Sequence, residues 1–480
     1  MASTRNPRTS SARRLYIATS GLALFALACS PEAPAARSGD VPSGSRATSS
    51  VERPNLILIS LDTLRADRLG CYGYDRPTSP AIDKWSARGV RFANTISESS
   101  WTLPSTMTMF TGVPPSVHGV IKRRKSLPET LPTVFEVLAQ RGYRTFGFTA
   151  GAFVKGHRGF NRGFEEYQDE PVDFRTVLEQ AQARIESFDE DEAYALFLHT
   201  FDVHCPYHPP TTYIDQFRTR PTDDHLDTEA GCGNMGDPIF NDLDLNAGQA
   251  RFLSDQYDAG IRWVDDAIAE FQSFLDARNE LSRTVLVLTS DHGEEFMEHG
   301  RIGHQRTLNI ETLRIPLIVL APQLEPHVVE AGASLSDVMP TILELLDVGP
   351  PASVLGHSLV PLALGLDPSW ADRALHSEID YLAKLRSVIY RGQHFIEDRG
   401  AGASNFPEGV TKLFFDMKND PEEMINLAPE RADSVNELAA LISSYYKTLD
   451  QVDVGQAGTI EMSDEDVREL EALGYGGGGD

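Results

Sequence analysis

Short runs of consecutive apolar residues recur along this chain and constrain its fold more than any other feature. A strand that is apolar at every position, rather than at every second one, is buried on both faces, as in a parallel sheet between helices. Such strands are predicted over residues 55–60, 194–198, 284–289 and 316–321, with a weaker candidate over 145–149. The runs therefore predict a sheet that is covered on both sides.

Helices are predicted between these strands. Apolar residues recur at spacings of three and four over residues 133–141, 255–278 and 336–346, which is typical of amphipathic helices. The alternation indicates an α/β fold with a large mixed, mainly parallel sheet sandwiched by helices. We assign this domain to residues 53–370.

The pattern changes after residue 370. A hairpin over 386–396 that turns at Arg391-Gly392, a strand over 412–417 and a closing helix over 430–449 are predicted. Residues 371–480 are therefore assigned to a small C-terminal antiparallel subdomain and tail. The last residues, from Tyr475 through four glycines to Asp480, are expected to be mobile.

The first 28 residues have the pattern of an export signal. A basic region with four arginines precedes an apolar stretch over 15–27, which is too short to span a membrane, and Cys29 follows. This predicts a lipoprotein signal peptide over 1–28 and a flexible tether over 29–52. The mature protein is expected to be anchored to a membrane through lipidated Cys29 and to face the periplasm or the exterior. The alternative is a cleaved, freely secreted protein.

Composition limits the partners of this protein. With 43 Lys and Arg against 70 Asp and Glu, the net charge is −27, which argues against nucleic acid as a partner. An anionic substrate would need concentrated positive charge, and a bound metal is the most direct source. The basic run 122–125 could attract such a substrate or is a solvated loop. Among the cysteines, Cys205 could pair with Cys232, or these two and Cys71 are all free thiols.

Metal-binding side chains follow three of the predicted strands. Asp62 follows the first, the residues His199, Asp202, His204 and His208 follow the second, and Asp291, His292, Glu294, His299 and His304 follow the third. Ligand sites in open α/β sheets lie at the carboxyl ends of strands. Asp62, Asp291 and His292 form a donor set for one divalent cation, Ca, Mn, Zn or Mg. Asp202 and His204 could hold a second metal ion, which is an open alternative.

The segment 99–112 is predicted to be a loop that enters a helix. Thr102 lies at the helix start, where its hydroxyl could simply cap the first turn. Beside a cation, the same hydroxyl would lose its proton more readily and act as a nucleophile. Histidines opposite could bind the oxygens of an anion or protonate a leaving group. Thr102 is therefore also a candidate metal ligand and catalytic residue.

Five segments of the chain resemble the sulfatase family of the alkaline phosphatase superfamily. They are residues 55–70, 101–112, 202–207, 290–294 and 412–421. The resemblance implies an alkaline phosphatase-like fold and a metal site made by Asp62, Asp291 and His292, with Thr102 at the nucleophile position. It implies that His204 and His304 contact the substrate. His118 and His299 match site positions of the family less closely.

The sequence departs from the family pattern at several positions. Sulfatases have Cys or Ser where Thr102 stands and oxidise it to formylglycine, which threonine cannot form because its β-carbon carries a methyl group. Thr106, Thr63 and His304 stand where the family has an arginine, an aspartate and a lysine. These departures favour direct attack by the threonine, as in relatives that transfer phosphoryl groups.

The resulting hypothesis is a metal-dependent hydrolase of sulfate or phosphate esters with Thr102 as nucleophile. Its substrate would be a sulfated or phosphorylated glycan, lipid or small molecule. One alternative is a phosphodiesterase or a phosphoethanolamine or phosphoglycerol transferase. Another is a non-catalytic anion- or glycan-binding protein, although unpaired charges around a cation would then serve no purpose.

Overall fold

A sheet of eight strands forms the centre of the computed structural model, which describes residues 53–189, 191–218, 245–400 and 406–475. The strands of the described residues are β1 (Asn55–Leu61), β2 (Val90–Ile96), β3 (Lys125–Ser126), β4 (Arg144–Phe148), β5 (Glu166–Gln168), β6 (Tyr194–Thr200), β7 (Thr284–Thr289), β8 (Glu295–Phe296), β9 (Ile302–Gly303), β10 (Arg314–Leu320), β11 (His327–Ser334), β12 (Leu375–Asp380), β13 (Lys384–Tyr390), β14 (Gln393–Asp398), β15 (Lys412–Asp416) and β16 (Gly458–Thr459). The eight-stranded sheet has the order β11-β2-β10-β7-β1-β6-β4-β5.

The sheet is mixed and mainly parallel, as predicted. β1 pairs in parallel with β6 and β7, whereas β10 runs antiparallel to both β7 and β2. All five predicted strands are present, and β1, β6 and β7 are buried at every position. Complete burial explains why these three strands have no polar face.

Eight helices lie between strands of the large sheet in the described chain, and four more follow its last strand. They are α1 (Pro80–Ser86), α2 (Thr102–Thr111), α3 (Pro115–His118), α4 (Val134–Gln140), α5 (Phe174–Glu186), α6 (Thr211–Phe217), α7 (Ala247–Ala277), α8 (Ile310–Leu313), α9 (Val338–Leu345), α10 (Val360–Ala363), α11 (Ala432–Leu449) and α12 (Asp464–Ala472). The predicted helix over 255–278 is the C-terminal part of α7, which begins earlier at a capping box formed by Asn246 and Gln249. Among the described parts of the chain, none of the helices has the length and apolarity needed to cross a membrane.

A separate four-stranded antiparallel sheet has the order β12-β13-β14-β15. Its central hairpin turns at Arg391-Gly392, as predicted, and both residues have positive φ (52° and 75°), the conformation of a tight type I′ turn. Apolar side chains of this sheet pack with Ile96, Leu308 and Leu313 in a hydrophobic cluster that is separate from the main core. The subdomain boundary at residue 370 stays a prediction.

Several sequence predictions concern chain ends and cysteines. The expected mobility of Tyr475 is wrong, because its side chain is only 1% exposed. Cys205 is disulfide-bonded, so the alternative of three free thiols is also wrong, while Cys71 is free. The signal peptide, the tether with Cys29, Cys232 and residues 476–480 lie outside the described residues.

Candidate active site

Three neighbouring strands place the first group of polar side chains at one edge of the sheet. In the register of the sheet, Ser60 on β1 lies opposite Thr289 on β7 and opposite His199 on β6. Asp62 follows β1 directly, and Asp291 follows β7 after one intervening serine. Because these strands are parallel and adjacent, their carboxyl ends bring both carboxylates together.

Asp62, Asp291 and His292 form a compact donor cluster. One ligand atom from each residue lies within 4.8 Å of the others. His292 Nε2 is 3.4 Å from Asp291 Oδ2 and 3.9 Å from Asp62 Oδ1. Both carboxylate oxygens are buried and have no hydrogen-bond partner in the described structure. Unpaired buried oxygens facing a neutral imidazole nitrogen fit a divalent cation.

The surroundings favour the metal-binding form of His292 but not that of Asp62. His292 Nδ1 donates to Gly293 O (2.9 Å), which leaves Nε2 free to face the carboxylates. Burial lowers the pKa of His292 to about 4, so its imidazole is neutral at pH 7. Burial and the adjacent charge of Asp291 raise the pKa of Asp62 well above its usual range. A cation would offset this repulsion.

Thr63 and His199 lie beside the cluster without belonging to it. Thr63 has a positive φ of 58°, and its backbone N–H, not its side chain, reaches Asp291 Oδ1 (3.3 Å). Its hydroxyl donates to the backbone oxygen of Asp62 and therefore does not replace the family's second aspartate as a ligand. His199 Nε2 lies 3.6 Å from Asp62 Oδ2, and neither ring nitrogen has a hydrogen-bond partner within the described residues.

Thr102 contacts the cluster directly. It is the first residue of α2, whose N-cap is Trp101, so the interpretation of Thr102 as the helix cap is wrong. Oγ1 instead donates to Asp62 Oδ2 at 3.1 Å and lies 3.4 Å from His292 Nε2. The side chain is fully buried. The helix start therefore aims the hydroxyl at the donor cluster.

His204 and His304 face the site from the opposite side. His304 Nδ1 donates to Glu294 Oε1 (2.8 Å), and Tyr207 donates to the other oxygen of this carboxylate (3.0 Å). His204 Nδ1 donates to Cys205 O. Each ring is thereby fixed with Nε2 as the atom that faces the site. Burial lowers the pKa of both histidines to about 3.

Tyr475 completes the site and was not predicted. Its hydroxyl lies 2.7 Å from His204 Nε2 and 2.8 Å from His304 Nε2, and Thr102 is near enough to lower its pKa, which burial raises. The ring packs edge-on against Phe153, with 4.8 Å between centroids. A tyrosine before a run of glycines shows no periodicity, so only the tertiary structure reveals its position.

The weaker candidates lie elsewhere. His118 bonds to Thr108 and Pro104 on α2. His299 belongs to a second acidic group with Glu295 and Glu311, and its Nδ1 lies 2.8 Å from Glu311 Oε1. The carboxylate of Asp202 accepts from Phe174 N (2.7 Å) and forms no metal-ligand group with His204 among the described residues.

The position of His118 predicts a pH-dependent stability. Its Nδ1 accepts from Val120 N, and burial lowers its pKa from 6.5 to about 3, so the unfolded state binds one more proton between these values. Stability should therefore fall as pH decreases below 6.5, by up to about 1.4 kcal/mol per pH unit from this group. Denaturant unfolding between pH 7 and 5 should show a shallower slope for His118→Gln than for wild type. An unchanged slope would contradict the assignment, and the exposed His327→Gln is the control.

Comparison with known proteins identifies the family. The sulfatase family model matches residues 54–348, which is more than half of the chain. The chain belongs to the sulfatase family. It is therefore an ester hydrolase of the alkaline phosphatase superfamily, as the sequence motifs predicted.

Individual relatives cover different parts of the molecule. A multifunctional alkaline phosphatase superfamily protein, PehA of Trinickia caryophylli, is 34% identical over 221 residues, which is 42% of this chain and 40% of that protein. Arylsulfatase A of Homo sapiens is 26% identical and covers 78% of this chain and 83% of its own. A phosphonate monoester hydrolase of Agrobacterium radiobacter has the same fold, with a TM-score of 0.67 at 17% identity over 86% of this chain and 99% of that chain.

Proposed function

We propose that this sulfatase-family protein is a metal-dependent hydrolase of sulfate or phosphate monoesters in which Thr102 is the nucleophile. The observation that carries the proposal is the contact of Thr102 Oγ1 with Asp62 Oδ2 (3.1 Å) and His292 Nε2 (3.4 Å). One divalent ion, Ca, Mn, Zn or Mg, would be held by Asp62, Asp291 and His292, with Thr102 beside it. When bound, it supplies positive charge that stabilises the alkoxide of Thr102 and the charge on the transferred group.

The protein's own residues account for the remaining chemistry. Thr102 Oγ1 forms the new bond to phosphorus or sulfur, and Asp62 Oδ2 is the acceptor placed for its hydrogen. The ester bond breaks, and the leaving oxygen takes a proton from Nε2 of His204 or His304. Both rings are neutral before substrate binds, so the donor first takes up a proton from solvent on Nε2, which the negative charge of the bound substrate favours. The histidine that lost its proton then accepts one from water, the water oxygen bonds to phosphorus or sulfur, and the bond to Thr102 Oγ1 breaks. Asp62 returns the hydrogen to Oγ1, and sulfate or phosphate is released.

Glu294 is the residue that positions His304. Its carboxylate accepts from the ring at Nδ1 and is itself held by Tyr207. Burial raises the pKa of Glu294 to about 7, while the neighbouring histidines favour its charged form. A carboxylate behind an imidazole stabilises the protonated ring, which is the form that donates to a leaving group.

The choice between sulfur and phosphorus rests on the nucleophile. Threonine cannot supply the hydrated aldehyde that sulfatases use, so this chain attacks directly, as phosphoryl-transfer enzymes do. PehA is a multifunctional member of the superfamily, and the fold is shared with a phosphonate monoester hydrolase. The nucleophile favours phosphate monoesters first, and the likeness to the phosphonate monoester hydrolase makes phosphodiesters or phosphonates the second candidate.

A three-substrate assay tests the proposal. Purified protein is dialysed against chelator, loaded separately with Zn, Mn, Mg or Ca, and given aryl sulfate, aryl phosphate and aryl phosphodiester. We expect turnover that depends on metal and is highest with the phosphate monoester. Hydrolysis of sulfate alone would overturn the preference, and equal turnover in chelator would overturn the metal dependence.

Export and anchoring through Cys29 are a separate proposal, supported by the basic and apolar pattern of residues 1–28. Palmitate labelling in a bacterial host should modify the wild-type chain and leave Cys29→Ser unlabelled in the soluble fraction. Cys71→Ser is the matched control and should remain labelled and membrane-bound. Labelling that persists in Cys29→Ser would contradict the anchor.

A further inference from the structure

Two arginines are buried beside the aromatic wall of the site. Arg158 is fully buried and Arg123 is 8% exposed. Arg158 lies over the ring of Phe153 (5.4 Å), and Arg123 lies 6.0 Å from the ring of Tyr381. Both rings contact Trp101, the residue before the nucleophile, at centroid distances of 5.5 and 5.1 Å. The arginines therefore border the site through one aromatic layer.

Two nitrogens of each guanidinium group lack hydrogen-bond partners among the described residues. Nε and Nη2 of both Arg123 and Arg158 are buried without an acceptor in the described structure, although Arg158 Nη1 donates to Arg123 O. Burial lowers the pKa of Arg158 to about 10. The charge of Asp466 partly offsets this lowering of the Arg158 pKa. The Asp466 carboxylate itself accepts a hydrogen bond from Ser463 N and forms an ion pair with Lys155. Unpaired buried charges of one sign are costly unless a ligand of the opposite sign joins them.

We propose that Arg123 and Arg158 form a second anion-binding subsite, which takes an anionic group of the substrate other than the ester that is cleaved. The inference rests on the proposed function, because it places the second group beside the ester site. Two guanidinium groups with free N–H donors match the oxygens of a sulfate, phosphate or carboxylate. The substrate class would then be esters with two anionic groups.

Paired probes test the subsite. Glucosamine 6-sulfate is compared with glucosamine 2,6-disulfate, and glucose 6-phosphate with glucose 1,6-bisphosphate, by calorimetric binding to metal-loaded protein. We expect the doubly charged member of at least one pair to bind wild type about 10-fold more tightly, because each charge-assisted pair adds affinity. Arg123→Gln and Arg158→Gln should reduce this ratio to about 1 and change the binding of the singly charged member less than about 2-fold.

Two results would overturn the subsite: equal binding of both members by wild type, or an unchanged ratio in the variants. If the fully buried Arg158→Gln does not fold, the partly accessible Arg123→Gln carries the test. If wild type binds the doubly charged probe about 10-fold more tightly but hydrolyses none of the aryl esters, the proposed reaction is refuted and the subsite is supported. If wild type hydrolyses the aryl esters but binds both probes equally, the subsite is refuted and the proposed reaction is supported.

Tyr475 carries a second, independent inference. Its hydroxyl occupies the space between His204, His304 and Thr102, and all four side chains are buried. Both histidines direct Nε2 at this one hydroxyl, and its single hydrogen can serve only one of them at a time. The Tyr475 hydroxyl therefore satisfies only one of the two histidines at a time. It occupies the position at which we expect an oxygen of the substrate anion to bind.

The segment over residues 463–475 is anchored outside the catalytic groups. Glu469 accepts from Lys155 Nζ (2.7 Å) and from Ala152 N (3.2 Å). Tyr475 N donates to Leu470 O (2.8 Å) after Gly474, whose φ of 81° turns the chain back. The segment is thus held by these polar contacts, by the buried side chain of Leu470 on α12 and by Tyr475 in the site.

We infer that residues 463–475 are a gate, and that substrate reaches Thr102 only after Tyr475 leaves the site. This inference also rests on the proposed function. Hydrogen exchange in metal-loaded protein should show faster exchange at the Tyr475 amide after saturating inorganic sulfate or phosphate is added. Glu469→Gln and Tyr475→Phe, which loosen the anchor and remove the hydroxyl, should bind these anions more tightly by about 10-fold.

The outcomes separate the gate from the reaction. Anion binding with unchanged or slower exchange at Tyr475, or weaker binding in Glu469→Gln, would overturn the gate. If aryl esters are still hydrolysed in that case, the proposed function stands. Anion binding to Glu469→Gln but not to wild type would support the gate even without turnover, and binding to neither would overturn gate and anion site together.

Discussion

Thr102→Ala is expected to lower kcat by about 10³-fold or more, because removal of a nucleophile eliminates the covalent route and leaves only the binding and charge of the surrounding groups. The site retains its carboxylates and histidines in this variant, so metal content should be unchanged. Steady-state hydrolysis of aryl phosphate, with metal measured by mass spectrometry on the same sample, checks both statements. Retention of full turnover would refute the nucleophile assignment.

Two controls make the result specific to the hydroxyl. Thr102→Ser keeps an Oγ atom at the start of α2 and should retain turnover within about 10-fold of wild type, since only a methyl group is lost. Thr111→Ala removes a threonine from the other end of α2, where Oγ1 only donates to Met107 O (2.7 Å). Its activity should equal that of wild type. A loss in Thr111→Ala would indicate that disturbance of α2 explains the effect.

The sequence predicted the part of the fold in which each strand has a uniform environment. β1, β6 and β7 are buried throughout, so their apolar runs were recognisable. β2 and β11 were missed because polar residues interrupt both strands, and β11 is an edge strand with exposed positions. Strand direction could not be inferred locally either, because the antiparallel pairing of β10 depends on its neighbours.

The same distinction applies to the site. Residues that directly follow buried strands were predictable, because parallel strands end at one edge and bring Asp62 and Asp291 together. The side-chain direction of Thr102 was not, since a cap and a nucleophile have the same local sequence. Tyr475 lies 171 residues from His304 along the chain, and no local pattern encodes such a contact.

Asp62→Asn is expected to weaken metal binding by about 100-fold or more, because it removes one of two carboxylates from a buried cluster. Unfolding measurements give a direct readout. At a metal concentration 100 times the wild-type Kd, bound metal should stabilise wild type by about 2.7 kcal/mol and the variant by about 0.4 kcal/mol or less. Hydrolysis should fall in parallel, and an unchanged metal-dependent stabilisation would refute the cluster as the metal site.

In the absence of metal, Asp62→Asn should not destabilise the protein. This difference distinguishes a metal ligand from an acidic residue that stabilises the fold. Without a cation, Asp62 and Asp291 oppose each other in a buried site, so neutralising one of them should leave stability unchanged or raise it. Asp265→Asn is the matched control: its buried carboxylate accepts from Ala81 N and Ile82 N at the start of α1. That variant should lose stability both with and without metal and keep wild-type metal affinity, because its charge pairs with backbone donors and not with a cation.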